Sequence, residues 1–352
     1  MTPSAPAART APPAPSGQAG QAAPEVLLRC RESVRPALRK AVDTLHPWLA
    51  EMAAYSFGWC DTAGTPTAAD GGKGVRQALA LLGAEAVGAD AETGVPAAVA
   101  VELVHAFSLL HDDIMDGDAT RRGRPALWRA YGTGPAILAG DALFALAVET
   151  LTAAPEGGGA LRLLSAALAD LVRGQADDLL FAARPWTGPG RVTPGEYRVM
   201  AERKTGALLG CALASGAALG GAPPPVVAAL DRAGRHLGVA FQVADDVLGI
   251  WGSPDVTGKP VGGDLRERKK TFPVLAALGT PAGGRLAALL GSPAHTAEAA
   301  ALAERAGGRE AALAEARAEA AAARDLLTGL PLAAAATGEL LPLLDFLVRR
   351  DL

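Results

Sequence analysis

The sequence predicts an all-α protein, folded as a single large helical bundle around a central cavity. Half of the residues are hydrophobic, Ala and Leu dominate, and only 4% are aromatic. Packed helices use this composition, whereas β-sheets favour β-branched and aromatic residues. From Pro24 onward, apolar residues recur every three or four positions, which is helical periodicity. No repeat of 20 to 50 residues is present, so a compact bundle is favoured over a solenoid.

Charge and cysteine content exclude several classes of protein. The 33 basic and 37 acidic residues give a net charge of -4, which provides no overall attraction for nucleic acid or an anionic membrane. Cys30, Cys60 and Cys211 are widely spaced and odd in number, so neither a disulfide framework nor a zinc site is indicated. We therefore expect reduced thiols in a cytoplasmic protein.

Neither a membrane segment nor a signal peptide is expected from the sequence. The longest apolar stretches, such as residues 210–221 and 330–337, are too short or too rich in small residues to span a bilayer. The N-terminus lacks the apolar core of a signal peptide.

Residues 1–23 are mostly Pro, Ala, Ser and Gly and cannot bury enough surface to offset the entropy of ordering. We expect a disordered tail there and one domain over residues 24–352. The tail is interpreted either as an extension without a role or as a recruitment tag for a partner or compartment.

The helices follow in order from Pro24, where Val26, Leu27, Cys30, Val34 and Leu38 form the first apolar stripe. Clusters of Gly, Pro and Thr then separate long Ala/Leu segments and predict the connecting loops. These clusters cover residues 62–74, 120–125, 154–159, 187–194, 220–225 and 252–263.

The segment 101–116 predicts an apolar helix with one polar stripe, formed by His105, Ser108, Asp112 and Asp116. Their spacing of three, four and four residues places them on one face. Two carboxylates one turn apart can hold Mg²⁺ while substrate phosphate and water complete its ligands. A solvated helix end is the alternative, and the apolar flanks disfavour it.

Basic residues follow this helix and a second acidic helix. Arg121 and Arg122 come directly after the first one, and Arg suits phosphate oxygens, although simple neutralisation of the acids is the alternative. In the second segment, Gln242, Asp245 and Gly249 share one stripe, and basic residues 259–270 follow. Two such units in a chain without excess positive charge indicate a diphosphate clamped between metals and cations.

Two further features fit an anionic ligand. Lys204 shares a stripe of small or apolar residues with Tyr197, Ala201, Leu208, Cys211 and Ser215. An ammonium is costly there unless it meets an anion, the alternative being a side chain that extends to the surface. The turn at residues 71–76 offers backbone N–H groups, Lys73 and Arg76 at a helix start, which suits an anion.

Together these residues resemble the trans-isoprenyl diphosphate synthase family, also called polyprenyl synthetases, from about residue 25 onward. Six separated motifs occur in the family's order. They are Gly72-Lys73 with Arg76, Glu102 to His105, Asp112-Asp113 to Asp116 with Arg121-Arg122, Gly174-Gln175 with Asp178, Lys204-Thr205, and Phe241-Gln242 with Asp245-Asp246, Lys259, Asp264 and Lys269.

The resemblance implies a magnesium-dependent prenyltransferase that condenses isopentenyl diphosphate with an allylic diphosphate, and a homodimer. Asp112 and Asp116 would bind two Mg²⁺ ions and Asp245 a third. Arg121, Lys204 and Lys259 would hold the allylic diphosphate, and Lys73, Arg76, His105 and Arg122 would bind isopentenyl diphosphate. The further substrate-binding residues would be Thr205, Gln242 and Lys269.

Three positions depart from the family pattern. Gly74 stands where the family usually has Arg, and Gln77 where it usually has Pro. The isopentenyl site thus keeps two of its three common cations, and we expect weaker binding there. Gly249 replaces the third acid of the second motif, while the retained Asp245 leads us to expect that the third metal is kept.

Product length is expected to depend on Phe107 and Ser108, which lie five and four residues before Asp112. A lone aromatic at the earlier position resembles synthases that make C20 geranylgeranyl diphosphate, although ordinary core packing is the alternative for Phe107. Farnesyl diphosphate synthase, a class I terpene cyclase and a silent partner subunit remain the other hypotheses. The cyclase is disfavoured because Asp245 to Gly249 lacks its Asn/Asp-x-x-Ser-x-x-x-Glu pattern, and the silent subunit because the acids and cations are retained.

Overall fold

The computed structural model describes residues 19–67, 72–253 and 261–349, and its described part is helical apart from one short hairpin. The all-α prediction is confirmed. The first half contains α1 (Ala19–Val42), α2 (Pro47–Ser56), α3 (Val75–Ala86), a 3₁₀ turn (Ala91–Gly94), α4 (Val95–Asp116), β1 (Thr120–Arg121), β2 (Arg124–Pro125), α5 (Leu127–Tyr131), α6 (Thr133–Ala153) and α7 (Gly157–Ala183).

The second half continues through the helices that carry the later motifs. It contains α8 (Pro194–Ala201), a π turn (Glu202–Gly206), α9 (Ala207–Leu219), α10 (Pro224–Trp251), α11 (Gly263–Arg266), α12 (Phe272–Leu278), α13 (Gly283–Leu289), a 3₁₀ turn (Pro293–His295), α14 (Thr296–Arg305), α15 (Gly308–Thr328) and α16 (Ala334–Arg349). Helices α7, α8, α10 and α11 begin inside predicted Gly/Pro/Thr clusters and α3 begins directly after one, whereas the breaks at residues 43–46 and throughout 279–333 were not predicted.

The bundle is organised around two adjoining apolar cores. In the larger core α3, α4 and α9 pack against one another, with α6 against α4 and α7 against α9. The smaller core joins the C-terminal half of α10 to α12–α15. Because α10 packs on both α9 and α15, it connects the two cores and brings the second acidic motif beside the first half of the chain.

The N-terminal boundary differs slightly from the prediction. Helix α1 begins at Ala19, so Pro24 lies inside it, and five residues assigned to the tail are helical. Residues 1–18 are outside the described part of the chain, and their disorder stays a prediction.

Two helices are long and apolar enough to cross a membrane by length and composition alone, residues 91–116 and Thr133–Ala153, which the search for apolar stretches overlooked. The first packs into the core against α3, α6 and α9, as core helices of soluble proteins do. The second, α6, leaves Ile137, Leu138 and Phe144 exposed.

Candidate active site

The first acidic motif lies at the C-terminal end of α4. This helix stops at Gly117, whose φ of 72° gives the left-handed conformation that ends many helices. Asp112 is half-buried and Asp116 is exposed, on the face that also carries His105 and Ser108, as the spacing predicted. Asp113 is turned into the protein and is 2% exposed, so it lies on a different side of the helix.

The electrostatic surroundings of Asp112 favour a cation. Burial, together with the neighbouring carboxylates of Asp116 and Asp178, raises the pKa of Asp112 to about 6 although Lys204 and Arg121 act in the opposite direction. The pKa of Asp116 is also raised, because the surrounding protein partly desolvates its carboxylate although the residue reaches the surface. A divalent cation would remove the cost of holding these carboxylates charged.

Arg121 is held by Asp113 rather than extended toward solvent. Its Nε donates to Asp113 Oδ1 at 2.9 Å, and Nη2 also contacts that oxygen. The short hairpin that carries Arg121 turns at Arg122 (φ 52°) and Gly123 (φ 73°), the two positive-φ positions of a type I′ turn. Because of this turn, Arg121 lies against Asp113 of the first acidic motif, whereas Arg122 lines a neighbouring cavity.

Lys204 lies in a π turn between α8 and α9. Such a turn adds a residue to the helical repeat, so the predicted unbroken stripe from Tyr197 to Ser215 is wrong at this point. The Nζ of Lys204 donates to Asp178 Oδ2 at 2.5 Å, and the anion expected for this ammonium is therefore found on α7. Gly174 lies one turn before Asp178 on α7. A Cβ at this position would lie 2.3 Å from the backbone N of Lys204, which explains why the motif Gly174-Gln175 has a glycine there.

The second acidic motif lies near the end of α10, where its two acids differ in role. Asp246 is 5% exposed and accepts hydrogen bonds from Tyr197 Oη at 2.5 Å, Phe272 N at 2.8 Å and Gln242 Nε2 at 3.3 Å. Burial and the Asp264 carboxylate nevertheless raise the pKa of Asp246 to about 8. Asp246 thus joins three elements of the fold. Asp245 is half-buried, and its carboxylate acts to raise the pKa of the Arg76 guanidinium.

Thr205 and Gln242 form a connection between the π turn and α10. The Thr205 hydroxyl donates to Gln242 Oε1 at 2.8 Å, while the amide of Gln242 donates to Asp246. Both predicted substrate-binding residues are thereby fixed beside the second motif.

The missing acid at Gly249 is replaced in space by Asp264. A Cβ on Gly249 would lie 2.0 Å from Asp264 Oδ2, so the Asp264 carboxylate occupies the position where a side chain at residue 249 would begin. Asp264 comes from α11, beyond the loop. The ammonium of Lys269 contacts Glu267 Oε2 at 3.0 Å, and the carboxylates of Glu267, Asp264 and Asp116 raise its pKa although burial acts in the opposite direction.

A separate cavity of about 320 Å³ contains the predicted isopentenyl site. Lys73, Arg76, His105 and Arg122, which are distant in sequence, all line it together with Phe241. The cavity lies where the loop before α3 meets α4, the hairpin and α10. The four side chains assigned to one ligand are therefore brought to one place.

Arg76 is the deepest cation of this cavity. Burial lowers its pKa to about 10, and its Nε is buried without a hydrogen-bond partner among the described residues. The buried carboxylate of Glu102 acts to raise the pKa of Arg76, and Glu102 accepts a hydrogen bond from Gln77. Gln77, a departure from the family pattern, thus helps to satisfy Glu102. An anion in the cavity would meet a positive, poorly hydrated surface.

His105 is neutral in this setting. Burial, followed by the charges of Arg76, Arg122 and Arg121, places the pKa of His105 well below its usual value. A neutral imidazole provides one donor and one acceptor, so His105 can donate to a phosphate oxygen without adding charge.

Below the first motif, Phe107 lies in an aromatic cluster. Its ring centroid is 4.8 Å from that of His111 and 5.6 Å from that of Phe144 on α6. The Ser108 hydroxyl donates to the carbonyl of His105 at 2.9 Å and leaves little bulk beside Phe107. Phe107 is half-buried, so core packing and pocket lining are both compatible with its position.

The sequence alone did not identify several of these contacts. Phe144, Asp178 as the partner of Lys204, and Asp264 at Gly249 depend on helices that meet only in the fold. For the cluster at Phe107, the sequence contained one usable signal, the aromatic residue Phe144 on the next long apolar helix. Lys259 lies outside the described residues, and its assignment stays a prediction.

No three acidic, His or Cys side chains within residues 19–67, 72–253 and 261–349 lie close enough to hold a metal by themselves. The oxygen ligands of Asp112, Asp116 and Asp245 nevertheless suit Mg²⁺, which typically takes one or two carboxylates and completes its shell with substrate phosphate and water. The residues present therefore fit a metal that binds together with its diphosphate.

Comparison with known proteins agrees with this geometry. The family model described as polyprenyl synthetase matches residues 58–305. Two Mycobacterium tuberculosis proteins are similar: one named (2E,6E)-farnesyl diphosphate synthase is 48% identical over 269 residues, covering 75% of this chain and 74% of that protein. One named geranylgeranyl diphosphate synthase is 47% identical over 274 residues, covering 76% and 77%.

A solved structure extends the similarity to nearly the whole fold. The crystal structure of a polyprenyl synthetase from Streptomyces coelicolor A3(2) superposes with a TM-score of 0.87 at 46% identity, covering 93% of this chain and 99% of that one.

Proposed function

Because the chain belongs to the polyprenyl synthetase family and is a trans-prenyl diphosphate synthase, we propose that its main product is C20 geranylgeranyl diphosphate. The reaction joins isopentenyl diphosphate to an allylic diphosphate. One observation supports the assignment of residues to the two substrates: Lys73, Arg76 and Arg122 line one cavity, whereas Asp112 lies among Lys204, Arg121 and the carboxylates of Asp116 and Asp178. One diphosphate requires metals, and the other requires only cations.

The acidic side receives the allylic diphosphate. Mg²⁺, when bound, neutralises the diphosphate as it departs. Asp112, Asp116 and Asp245 are the proposed oxygen ligands, for up to three ions. Arg121 and Lys204 place positive charge beside Asp112, and Lys204 and Lys269 place it beside Asp116. Thr205 and Gln242 support the turn that carries Lys204, and Lys259 is assigned here from the resemblance.

The cationic cavity receives isopentenyl diphosphate. Lys73, Arg76 and Arg122 offset its charge, and neutral His105 donates a hydrogen bond. With both substrates in place, the allylic C–O bond breaks and its electron pair leaves with the diphosphate. The isopentenyl double bond attacks the allylic carbon, and a proton is lost to the released diphosphate. The residues contribute mainly charge stabilisation.

The length of the product is assigned to Phe107. The similar proteins include both a farnesyl and a geranylgeranyl diphosphate synthase at nearly equal identity, so their names do not decide between C15 and C20. The cluster of Phe107, His111 and Phe144 supports a floor for the product pocket one to two helical turns below Asp112. Ser108 leaves room above that floor.

Elongation assays test this proposal. The protein is incubated with Mg²⁺, labelled isopentenyl diphosphate and each of the C5, C10 and C15 starters, and the products are separated by chain length. We expect C20 to accumulate from every accepted starter. Accumulation of C15 alone would identify a farnesyl diphosphate synthase, a hydrocarbon would identify a cyclase, and no elongation at all would favour a silent subunit.

We expect a soluble cytoplasmic homodimer. On α6, Ile137, Leu138 and Phe144 are 42%, 49% and 38% exposed, and a second copy would cover such an apolar face. Light scattering after gel filtration tests this assignment, with Leu138→Asp expected to release monomer. A monomeric wild-type protein would contradict it.

A further inference from the structure

Two adjacent lysines follow α11, and they contact different parts of the molecule. The ammonium of Lys269 lies 3.0 Å from Glu267 Oε2, and its charge opposes the burial that raises the pKa of Asp116. The Nζ of Lys270 lies 3.2 Å from the ring centroid of Trp186, which belongs to the loop between α7 and α8. Lys269 is part of the proposed allylic site, whereas Lys270 has no role in it so far.

Lys270 is a deeply buried cation. Lys270 is 7% exposed and Trp186 is 8% exposed, so water has little access to the ammonium. Burial lowers the pKa of Lys270 to about 8, and the guanidinium groups of Arg268 and Arg184 act in the same direction. A buried ammonium is costly unless a partner stabilises it. Among the described residues that partner is the face of an indole ring, which attracts a desolvated cation more strongly than an exposed one.

Trp186 provides a fixed point for this contact, because its loop is attached to the bundle. Arg184 in the same loop donates from Nη1 to Glu196 Oε1 at 2.7 Å and from Nε to the carbonyl of Gly190 at 2.8 Å. The indole itself belongs to the smaller apolar core, together with Phe181 near the end of α7. The position of the ring is thus set by core packing and by the loop, and not by the chain that carries Lys270.

The chain between Lys269 and α12 has an anchor at its far end. The N–H of Phe272 donates to Asp246 Oδ2 at 2.8 Å, which fixes the first residue of α12 to α10. Lys270 lies between this anchor and Lys269. The contact of its side chain with Trp186 therefore limits how the backbone at Lys269 can turn, and with it the direction in which the Lys269 ammonium points.

We propose that Lys270 is a positioning residue for prenyl transfer: its ammonium, held on Trp186, keeps the ammonium of Lys269 beside Asp116, where the allylic diphosphate is proposed to bind. This inference rests on the proposed function and adds to it a residue that does not itself touch the substrate. A neutral side chain of similar length would fill the same space but would lose the attraction to the ring. The charge of Lys270, more than its bulk, is therefore the property that places Lys269.

Lys270→Met tests this role, because Met keeps an unbranched apolar stem without the ammonium. We expect kcat/KM for the allylic starter to fall about threefold to thirtyfold, since placement cannot be worth more than the contact that provides it. The Kd for inorganic diphosphate with Mg²⁺, measured by calorimetry, should rise within the same range, and KM for isopentenyl diphosphate should not change. Lys40→Met is the matched control: Lys40 is exposed on α1, so each value should stay within about twofold of wild type.

A double-mutant cycle separates positioning from a general structural role. In a Lys269→Gln background, Lys270→Met should cause no further loss of kcat/KM or of diphosphate affinity, because the group that it positions is already gone. Equal losses in both backgrounds would overturn the proposal, and so would wild-type values for Lys270→Met alone.

Two conservative variants keep the test decisive if Lys270→Met folds poorly. Lys270→Arg retains a cation that can lie on the indole and should recover most of kcat/KM; a loss as large as that of Lys270→Met would overturn the role of the charge. Trp186→Phe keeps a buried ring that attracts a cation less strongly, and its smaller loss should again disappear in the Lys269→Gln background. A wild-type protein that elongates no starter would overturn the proposed function, while the diphosphate Kd values would still decide the role of Lys270.

Discussion

Replacing Phe107 by Ala should lengthen the product by one five-carbon unit. The rings of Phe107, His111 and Phe144 are in contact, and on the helix turn below them Val104 and Leu103 are fully buried. Removal of the phenyl ring moves the floor down by about one turn of α4, roughly 5.4 Å. A five-carbon unit adds four bonds of about 1.5 Å to a zigzag chain, so it needs about that depth.

The assay is elongation of the C15 starter with labelled isopentenyl diphosphate, followed by reversed-phase separation of the hydrolysed products. Wild type should stop at C20, and Phe107→Ala should give mainly C25. Because Phe107 is half-buried, the loss of stability should be smaller than the roughly 3–5 kcal/mol of a fully buried Phe→Ala change. The variant should therefore remain folded at assay temperature.

Phe144→Ala provides the matched control for this result. Phe144 lies behind Phe107 and is 38% exposed, so its removal alone should leave C20 as the main product, while the double variant should extend beyond Phe107→Ala. A folded Phe107→Ala protein that still stops at C20 would refute the assignment of the floor to this cluster.

Three further predictions concern the diphosphate sites. Because the pKa of Asp112 is raised to about 6, the carboxylate needed by Mg²⁺ is lost as pH falls through that value. Mg²⁺-dependent binding of inorganic diphosphate, measured by calorimetry, should therefore weaken below about pH 6, and constant affinity down to about pH 5 would contradict the assignment. Lys204→Gln should lower kcat/KM for the allylic starter on the order of tenfold to a hundredfold and leave Kd for isopentenyl diphosphate unchanged. The variant should stay folded because Asp178, the partner of Lys204, is 37% exposed to water; equal losses for both substrates would argue for a general structural defect. Gly249→Ala would place a methyl group 2.0 Å from Asp264 Oδ2 and should lower the free energy of unfolding in urea titrations by about 1–3 kcal/mol. The loss should be much smaller in an Asp264→Ala background, and equal losses in both backgrounds would show that the two positions do not interact.

Much of this architecture could be read from local pattern. Spacing of three and four residues fixed the polar face of α4, and the structure places His105, Ser108, Asp112 and Asp116 on that face. Helical periodicity is a property of neighbouring residues, so it needs no knowledge of the fold. Gly and Pro clusters marked several of the loops for the same reason, such as those before α3, α8 and α10.

Contacts between distant helices could not be read in this way. Asp264 gave no local signal, since it becomes meaningful only when its helix packs against Gly249. The π turn at Lys204 was also missed, since no residue pattern within it indicated an extra residue; the turn packs between α7 and α10. Gly249 looked like a loss in the sequence, and the Asp264 carboxylate lies where its side chain would begin.

The central claim is that Asp112, Asp116 and Asp245 hold one diphosphate through shared metal ions. The most direct measurement is a crystal structure with Mn²⁺ in place of Mg²⁺ and an unreactive thio analogue of the C15 diphosphate, with metals located by anomalous scattering. We predict metal peaks bridging the analogue to Asp112 and Asp116 on one side and to Asp245 on the other. A diphosphate bound without metals at these three residues would contradict the account.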